Sequence, residues 1–207
     1  MSWPPARWRE RVEFERRLVH AGGTLYVVPY LLGWLSWTET RYLLLGGVAV
    51  VALLEALRLS GMAGPLAPLY GALVRTYEAD SIAGYALYQI SMTGVALALG
   101  PTLAIPAMWM LSLGDPVSGA LGDNAATEPK RPAVWAVMFL VCLIIAAPFT
   151  LPAYGAGVGL AAAAVGALGA TVADGLPPMI RGVVVDDNLT IPPAAAVGMV
   201  AVVVILG

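Results

Sequence analysis

The chain has 207 residues, of which 59% are hydrophobic and 12% are charged, and its mean hydropathy is +0.81. Soluble domains carry roughly 25% charged residues, so this composition excludes an ordinary soluble domain and predicts a membrane protein. A formal net charge of −2, without a basic cluster among aromatic residues, argues against nucleic acid binding. The one cysteine, Cys142, excludes an internal disulfide bond and a cysteine-based zinc site.

The N-terminal part of the chain is polar, and residues 1–18 are predicted to form a cytoplasmic segment of one domain that covers 1–207. No small-residue cleavage site follows a short apolar region, so the apolar run at 19–37 is predicted to be a retained span. Arg17 and His20 lie at its entrance. His20, the only histidine, is a candidate base or phosphate ligand, although a single histidine at a membrane boundary is more often structural.

The second apolar run, at 41–58, carries an acidic and a basic residue at its end. Glu55 and Arg58 are three residues apart, so a helix places them on one face. Such a pair lowers the cost of insertion as a local ion pair, or directs one of its members into a binding site.

The next uncharged run, from Ser81 to Gly114, is too long for one crossing. As one helix it would measure about 51 Å, against a hydrocarbon core of ~30 Å. Gly100-Pro101 divides it into candidates at 82–99 and 101–113. The second candidate is short, so its helix is expected to continue past Asp115 or to enter the membrane as a broken segment.

A motif rich in glycine and aspartate, Gly-Asp-Pro-Val-Ser-Gly-Ala-Leu-Gly-Asp, follows at 114–123. It is either a surface turn or a site at which glycines approach phosphate and carboxylates hold Mg²⁺. The candidate residues are Gly114, Asp115, Ser118, Gly119 and Asp123. Lys130 then either anchors the next span or neutralises nucleotide phosphates.

Two spans are expected in the uncharged stretch 132–173, at 133–150 and 154–173. Pro148, Pro152 and Tyr154-Gly155 indicate the turn of a hairpin between them. The second of these spans is dense in glycine and alanine, which indicates a helix packing face.

The last candidate span, 189–207, directly follows Asp186-Asp187-Asn188. The boundary of a membrane span needs no more than one polar residue, and this one has two adjacent carboxylates. Their hard oxygens suit Mg²⁺, and the asparagine side chain can complete a metal shell or bind a phosphate oxygen. Asp186 and Asp187 are therefore candidate Mg²⁺ ligands.

The fold class predicted from these runs is all-α, a polytopic membrane bundle of about seven transmembrane helices. With the N-terminus in the cytoplasm, ten of the eleven lysines and arginines lie inside and only Arg41 lies outside. This arrangement also brings the acidic motifs to the cytoplasmic face of the cell membrane.

These motifs, in this order, resemble the family of CTP-dependent polyprenol kinases, which includes dolichol kinases, phytol kinases and CTP-dependent diacylglycerol kinases. The resemblance covers nearly the whole chain. It rests on Glu15-Arg-Arg-Leu-Val-His20, Glu55-Ala-Leu-Arg58, Gly114-Asp115 with Gly119, and Asp186-Asp187-Asn188 with Ile191-Pro192. After the central motif only Lys130 matches the family pattern, and Asp174 stands where relatives often carry glutamate.

The resemblance implies a membrane kinase that moves the γ-phosphoryl group of CTP to an isoprenoid lipid alcohol with Mg²⁺ as cofactor. In that interpretation the metal ligands are Asp115, Asp186 and Asp187, which hold Mg²⁺ or orient the attacking hydroxyl. Lys130 and Arg58 offset developing negative charge. The residues expected to bind the nucleotide are Gly114, Ser118, Gly119, Asn188, Arg58, Glu55, Arg17 and His20.

Three alternatives stay open at this point. The acceptor is a polyprenol or dolichol, a phytol or geranylgeraniol, or diacylglycerol. The reaction is phosphoryl transfer, or cytidylyl transfer to a lipid phosphate, which needs the same nucleotide and metal. A non-catalytic transport or scaffold subunit would use the spans for packing and leave the acidic motifs as solvated loops.

Overall fold

The structure, a computed structural model, describes residues 14–62, 64–75, 78–122, 128–176, 179–180 and 183–207. Of the predicted candidates, Asp123 and the side chain of Glu15 lie outside this description. The remaining candidates are all described.

Helices dominate the described chain, with 3₁₀ and π segments between some of them. The α-helices are α1 (Phe14–Gly22), α2 (Val28–Leu31), α3 (Trp37–Leu59), α4 (Ala67–Leu73), α5 (Gly84–Ala98), α6 (Pro101–Trp109), α7 (Asp115–Leu121), α8 (Pro132–Gly175) and α9 (Asp187–Leu206). Two short 3₁₀ helices cover Gly23–Val27 and Gly64–Leu66, and a π-helical turn covers Met110–Gly114. A small antiparallel hairpin of β1 (Met179–Ile180) and β2 (Val183–Val184) precedes α9.

The start of α3 follows directly from its sequence. Ser36 Oγ accepts a hydrogen bond from the Glu39 amide, and the Glu39 carboxylate accepts one from the Ser36 amide at 2.7 Å. This capping box satisfies amides that the first turn of a helix leaves unpaired. The predicted span 41–58 lies wholly within α3.

Helix α8 is a hairpin of two helices. Gly155 interrupts it with φ 77° and ψ 171°, a conformation that is essentially restricted to glycine. The two halves then pack closely, since a Cβ on Gly159 would lie 2.5 Å from the Thr150 carbonyl oxygen. At the open end the Lys130 amide donates to the Gly175 carbonyl at 3.1 Å. The predicted hairpin is confirmed, with Gly155 as its turn, while Pro148 and Pro152 stay within the helix.

Gly100-Pro101 separates α5 from α6, as predicted. From Pro101 the chain stays helical through α6, the π turn and α7, so the helix continues past Asp115. The first predicted span is different: α1, a 3₁₀ helix and α2 divide the segment 19–37 into three short helices. Gly23 lies at the first division, where a Cβ would overlap the Tyr88 hydroxyl.

Within the described residues, three helices are long and apolar enough to cross a membrane by length and composition: α3, α8 and α9. Many of their large apolar side chains face outward, among them Tyr42, Ile144, Val197 and Val204. An outward apolar surface on long helices is typical of a lipid-facing bundle. These helices indicate a helical membrane protein.

The segments run alternately between two ends of the bundle. At one end Trp37 and Arg41, at the start of α3, donate hydrogen bonds to the Leu99 carbonyl after α5. At the other end, Arg58 donates to carbonyls of the loop before α5, and His20 meets Asp115. The open end of the α8 hairpin and the start of α9 lie at this second end, which we call the polar end and which carries His20, Asp115, Lys130, Asp174 and Asp187.

Candidate functional site

Three carboxylates meet at the polar end of the bundle. Oxygen atoms of Asp115, Asp174 and Asp187 all lie within 4.8 Å of one another. Asp115 begins α7, Asp174 is near the end of α8 and Asp187 begins α9. Each residue adjoins an apolar helical run, so three separate elements deliver a carboxylate to the same boundary. We call this group the carboxylate triad.

The position of Asp115 depends on the π-helical turn before it. Such a turn holds one extra residue and rotates the side chains that follow, which is why π turns often occur at functional sites. Asp115 Oδ2 lies 3.1 Å from His20 Nδ1, and the His20 ring stacks on Tyr88 with centroids 4.5 Å apart. Tyr88 also donates to the His20 carbonyl at 2.9 Å, so Tyr88 contacts both the backbone and the ring of His20.

The surroundings of Asp115, which follows the apolar part of its helix, favour the ionised form of its carboxyl group. Burial acts to raise the pKa of this carboxyl, but the hydrogen bond and charge of His20 and the charge of Lys130 lower its pKa below the usual value. Asp115 therefore presents a negative charge at neutral pH.

Asp174 is the most buried member of the triad, with 1% of its side chain exposed. Its Oδ1 lies 2.6 Å from Lys130 Nζ, and its Oδ2 accepts a hydrogen bond from Ser118 at 2.6 Å. Lys130 Nζ also donates to Ser118 Oγ at 3.0 Å. Of the predicted site residues, Ser118 and Lys130 are therefore brought directly to the triad.

The two predicted phosphate-binding glycines lie against other parts of the protein. A Cβ on Gly114 would lie about 3.0 Å from Met138 and 3.1 Å from the Cys142 sulfur. This glycine therefore allows the π turn and α8 to pack closely against each other. A Cβ on Gly119 would lie 3.2 to 3.4 Å from the Arg17 guanidinium. Gly119 thus leaves room for the Arg17 guanidinium against α7.

Asp186 and Asp187 face different surroundings although they are adjacent in sequence. Asp186 is the N-cap of α9, and its Oδ1 accepts hydrogen bonds from the backbone amide of Asn188 at 2.9 Å and from the Asn188 side chain. Its Oδ2 lies 3.9 Å from Arg75 Nη1. Among the described acidic residues, Asp174 rather than Asp186 completes the group with Asp115 and Asp187.

Glu55 and Arg58 form a clamp on the loop before α5. Arg58 binds both oxygens of Glu55, at 2.9 and 2.7 Å, and donates to the carbonyls of Glu78, Ala79 and Ser81. Glu55 in turn accepts from the Ala83 amide at 3.0 Å and from the Tyr85 hydroxyl. The predicted local ion pair is present, and both side chains hold the loop rather than face the triad.

The donor chemistry of the triad fits a hard divalent cation. Three carboxylates at this separation repel one another, and oxygen ligands are those that Mg²⁺ prefers. Lys130 offsets part of this charge, His20 contacts Asp115, and each engaged oxygen keeps lone pairs for a ligand. Asp115, Asp174 and Asp187 are the residues that would hold the ion.

Comparison with protein-family models, with curated proteins and with solved structures finds no match to this chain. The site therefore has to be interpreted from its own residues.

Asp174 is the residue that the sequence analysis did not select as a metal ligand. The available signal was its position, because it directly follows the uncharged stretch 132–173, just as Asp187 precedes another uncharged run. A carboxylate at a membrane boundary is costly unless it faces water or shares a polar site. Asp174 shares a polar site rather than facing water, because the hairpin at Gly155 brings it back beside Lys130.

Proposed function

We propose that this protein is an integral membrane kinase that transfers the γ-phosphoryl group of CTP to a polyprenol- or dolichol-type lipid alcohol. The observation that carries the proposal is the carboxylate triad, with Lys130 and His20 in contact with it, at one end of an apolar helical bundle. The choice of CTP and of an isoprenoid alcohol rests on the resemblance described above. A site of this kind suits a reaction between a nucleotide and a membrane lipid.

The proposed topology has seven crossings, with the polar end in the cytoplasm. The alternation of segments between the two ends supports this arrangement, because each connection after α3 reverses the direction of the chain. The distribution of lysine and arginine supports the orientation. The first crossing is made by the segment 19–37 in three short helices, whose irregular backbone packs against α5 through Tyr88 and against α6 through Trp109.

In the proposed reaction the hydroxyl oxygen of the lipid attacks the γ-phosphorus of CTP. A new oxygen–phosphorus bond forms, the bond to the β-phosphate oxygen breaks, and the products are lipid phosphate and CDP. A triad carboxylate accepts the hydroxyl proton. Positioning and charge neutralisation supply most of the catalysis in phosphoryl transfer, so Lys130 and Arg17 are assigned to the phosphate oxygens.

When bound to the triad, Mg²⁺ would neutralise phosphate charge and polarise the transferred group. Side chains of the protein position the groups that contact the substrate. Tyr88 and Asp115 hold His20 in one orientation, and Ser118 and Asp174 hold Lys130 near the triad. Both side chains are thereby positioned before substrate arrives, which lowers the entropic cost of binding phosphate.

The lipid tail is assigned to a shallow apolar groove between the second half of α8 and α9, with a volume of about 650 Å³. Leu168, Val172 and Val197 are among its walls, and Thr190 and Ala173 lie at the end nearest the triad. Thr190 is three residues after Asp187, and Ala173 precedes Asp174. A lipid in this groove would have its hydroxyl next to the carboxylates.

The test uses the full chain in detergent with Mg²⁺, dolichol, phytol or diacylglycerol, and CTP labelled at the γ-phosphate. Labelled lipid phosphate from the wild type supports the kinase and ranks its acceptors. Asp174→Asn is expected to lower turnover at least 100-fold, a loss of about 2.7 kcal/mol in transition-state stabilisation. Asp80→Asn, at an exposed acidic residue outside the triad, is the matched control and is expected to keep wild-type turnover.

A parallel assay separates the kinase from the cytidylyltransferase. CTP labelled at the α-phosphate, supplied with a lipid phosphate, gives a labelled lipid and pyrophosphate only if cytidylyl transfer occurs. That result, with no transfer of the γ label, would reject the kinase. Unchanged cellular function of Asp174→Asn together with no turnover of either label would favour the non-catalytic subunit.

A further inference from the structure

The chain that follows α3 is apolar although it belongs to the polar end of the bundle. Between Arg58 and Arg75 the sequence has no charged residue over 16 positions, 59–74. A helical crossing takes about 17–25 residues, and shorter apolar runs are typical of buried or interfacial segments. We call residues 59–74 the apolar loop.

The apolar loop begins with a turn that keeps the chain beside the end of α3. Gly61 has φ 75°, and its amide donates to the Arg58 carbonyl at 3.1 Å. The amide of Met62 donates to the Leu57 carbonyl at 2.9 Å. These two bonds form a Schellman motif, which ends a helix and turns the chain back. Met62 therefore stays next to the last turn of α3.

Helix α4, in the second half of the apolar loop, is tied to α3 below its end. The Tyr70 hydroxyl donates to the Leu54 carbonyl at 2.8 Å, and Tyr70 is buried. Leu54 lies five residues before Leu59, the last residue of α3, which is about 7.5 Å along the axis. The 23 residues of α3 measure about 35 Å, against a hydrocarbon core of ~30 Å. A centred α3 therefore places Leu54 inside the membrane boundary, and Tyr70 ties α4 to that level.

The large side chains that the apolar loop turns outward are apolar. Leu59, Met62 and Leu69 are 50%, 63% and 41% exposed. Leu45, Ala52 and Leu59 follow one another at seven-residue intervals, so they share a face of α3, and all three are exposed. The outward apolar face of this span thus leads directly into the loop. Exposed apolar surface of this kind indicates contact with a membrane or a partner, and the continuity with α3 favours the membrane.

The arginines that flank the apolar loop are paired with carboxylates of the protein. Arg58 binds both oxygens of Glu55, and Arg75 Nη1 lies 3.9 Å from Asp186 Oδ2. An anionic lipid headgroup would have to compete with these carboxylates for either guanidinium. Burial of apolar side chains, rather than attraction to anionic lipid, is therefore the driving force that the loop offers.

We propose that the apolar loop is an interfacial element that lies along the boundary between lipid headgroups and acyl chains. Leu59, Met62 and Leu69 would insert among the acyl chains, while Tyr70 faces the protein. Helix α4 lies next to α1, which carries His20. The element would thus fix the depth of α1 and of the carboxylate triad relative to the lipid surface. This membrane contact does not depend on the lipid kinase proposal.

The experiment measures the depth of spin labels on the full chain in phosphatidylcholine bilayers. Labels are attached to Met62→Cys and Leu69→Cys, and power saturation compares relaxation by oxygen, which concentrates in hydrocarbon, with relaxation by a water-soluble nickel chelate. Both positions are exposed, so neither substitution disturbs packing. Asp80→Cys, at an exposed residue after the loop, is the matched control, and the wild type measures labelling of its buried Cys142.

The labels at 62 and 69 should be accessible to oxygen and protected from nickel, at about 5–10 Å below the headgroups, while the label at 80 shows the reverse. These depths should stay the same when salt is raised or anionic lipid is added. Nickel accessibility at 62 and 69 equal to that at 80 would overturn the proposal by placing the loop in water. Protection from both reagents would also overturn it, because protein then covers the loop, and dipolar broadening between labels would identify a second copy of the chain.

Discussion

Lys130 and Asp174 lie at the two open ends of one helical hairpin, and their side chains form an ion pair with an N–O distance of 2.6 Å. Only 12% of the lysine side chain and 1% of the aspartate side chain are exposed. The same contact therefore closes the hairpin and fixes a cation beside the carboxylate triad. Structure and proposed chemistry depend on one pair of residues.

Removing one member of this pair should destabilise the protein strongly. Lys130→Met leaves Asp174 buried without its cation, a change that typically costs about 3–5 kcal/mol. The double variant Lys130→Met with Asp174→Asn should recover most of that loss, because no charge is then left unpaired. Thermal unfolding in detergent measures both variants, and equal Tm values for the single and double variants would contradict the expectation.

The turn of the hairpin provides a prediction with a matched control. Gly155→Ala places a Cβ on a residue with φ 77°, and no heavy atom lies within 4 Å of that Cβ, so the cost is purely conformational. We expect a loss of about 1–3 kcal/mol. Gly157→Ala also meets no atom within 4 Å but lacks the positive φ, and in a helix it should be neutral or stabilise by up to about 1 kcal/mol.

Removal of divalent metal should lower the stability of the resting protein. An ion that binds only the folded state adds about 2.7 kcal/mol at a concentration 100 times its Kd. Chelation should therefore lower the Tm of the wild type, and Mg²⁺ should restore it. Asp115→Asn and Asp174→Asn should respond less to Mg²⁺ than Asp80→Asn, and an identical response in all three would argue against a metal at the triad.

The clamp on the loop before α5 should require the geometry of arginine. Arg58 binds both Glu55 oxygens and several carbonyls at once, which a lysine ammonium cannot reproduce. Arg58→Lys should cost about 1–3 kcal/mol and make the peptide bonds at 78–83 more sensitive to protease. Tyr85→Phe, which removes one hydrogen bond to Glu55, should show the same pattern to a smaller degree.

Much of the helical framework could be predicted from hydrophobic runs and helix breakers. The segment 41–58 lies within α3, 189–207 corresponds to α9, and the breaks at Gly100-Pro101 and Gly155 occur where turn-forming residues interrupt apolar sequence. The π turn before Asp115 was not predictable, because its extra residue has no sequence pattern in the run 101–113. The division of 19–37 depends on Tyr88, which is distant in sequence and fits against Gly23.

The site was also predictable only in part, because its geometry depends on contacts between distant residues. Sequence indicated that Asp115 and Asp187 share a boundary, but it could not rank Asp186 against Asp187. As the N-cap, Asp186 turns its carboxylate back to the Asn188 amide. Asp187, one residue later, lies beside Asp115 and Asp174 instead. Asp174 reaches the triad through the α8 hairpin, and its place depends on contacts between residues far apart in the chain.

The hairpin also has a consequence for the order in which the protein is made. Asp115, Asp174 and Asp187 emerge from the ribosome in sequence, and the last of them begins the C-terminal helix α9. Helices α1 to α7 are therefore made before two of the three triad residues exist, and Lys130 precedes the aspartate with which it pairs. Lys130 therefore has no partner carboxylate in Asp174 until the second half of α8 has been made, so this ion pair can close the hairpin only after both of its halves exist.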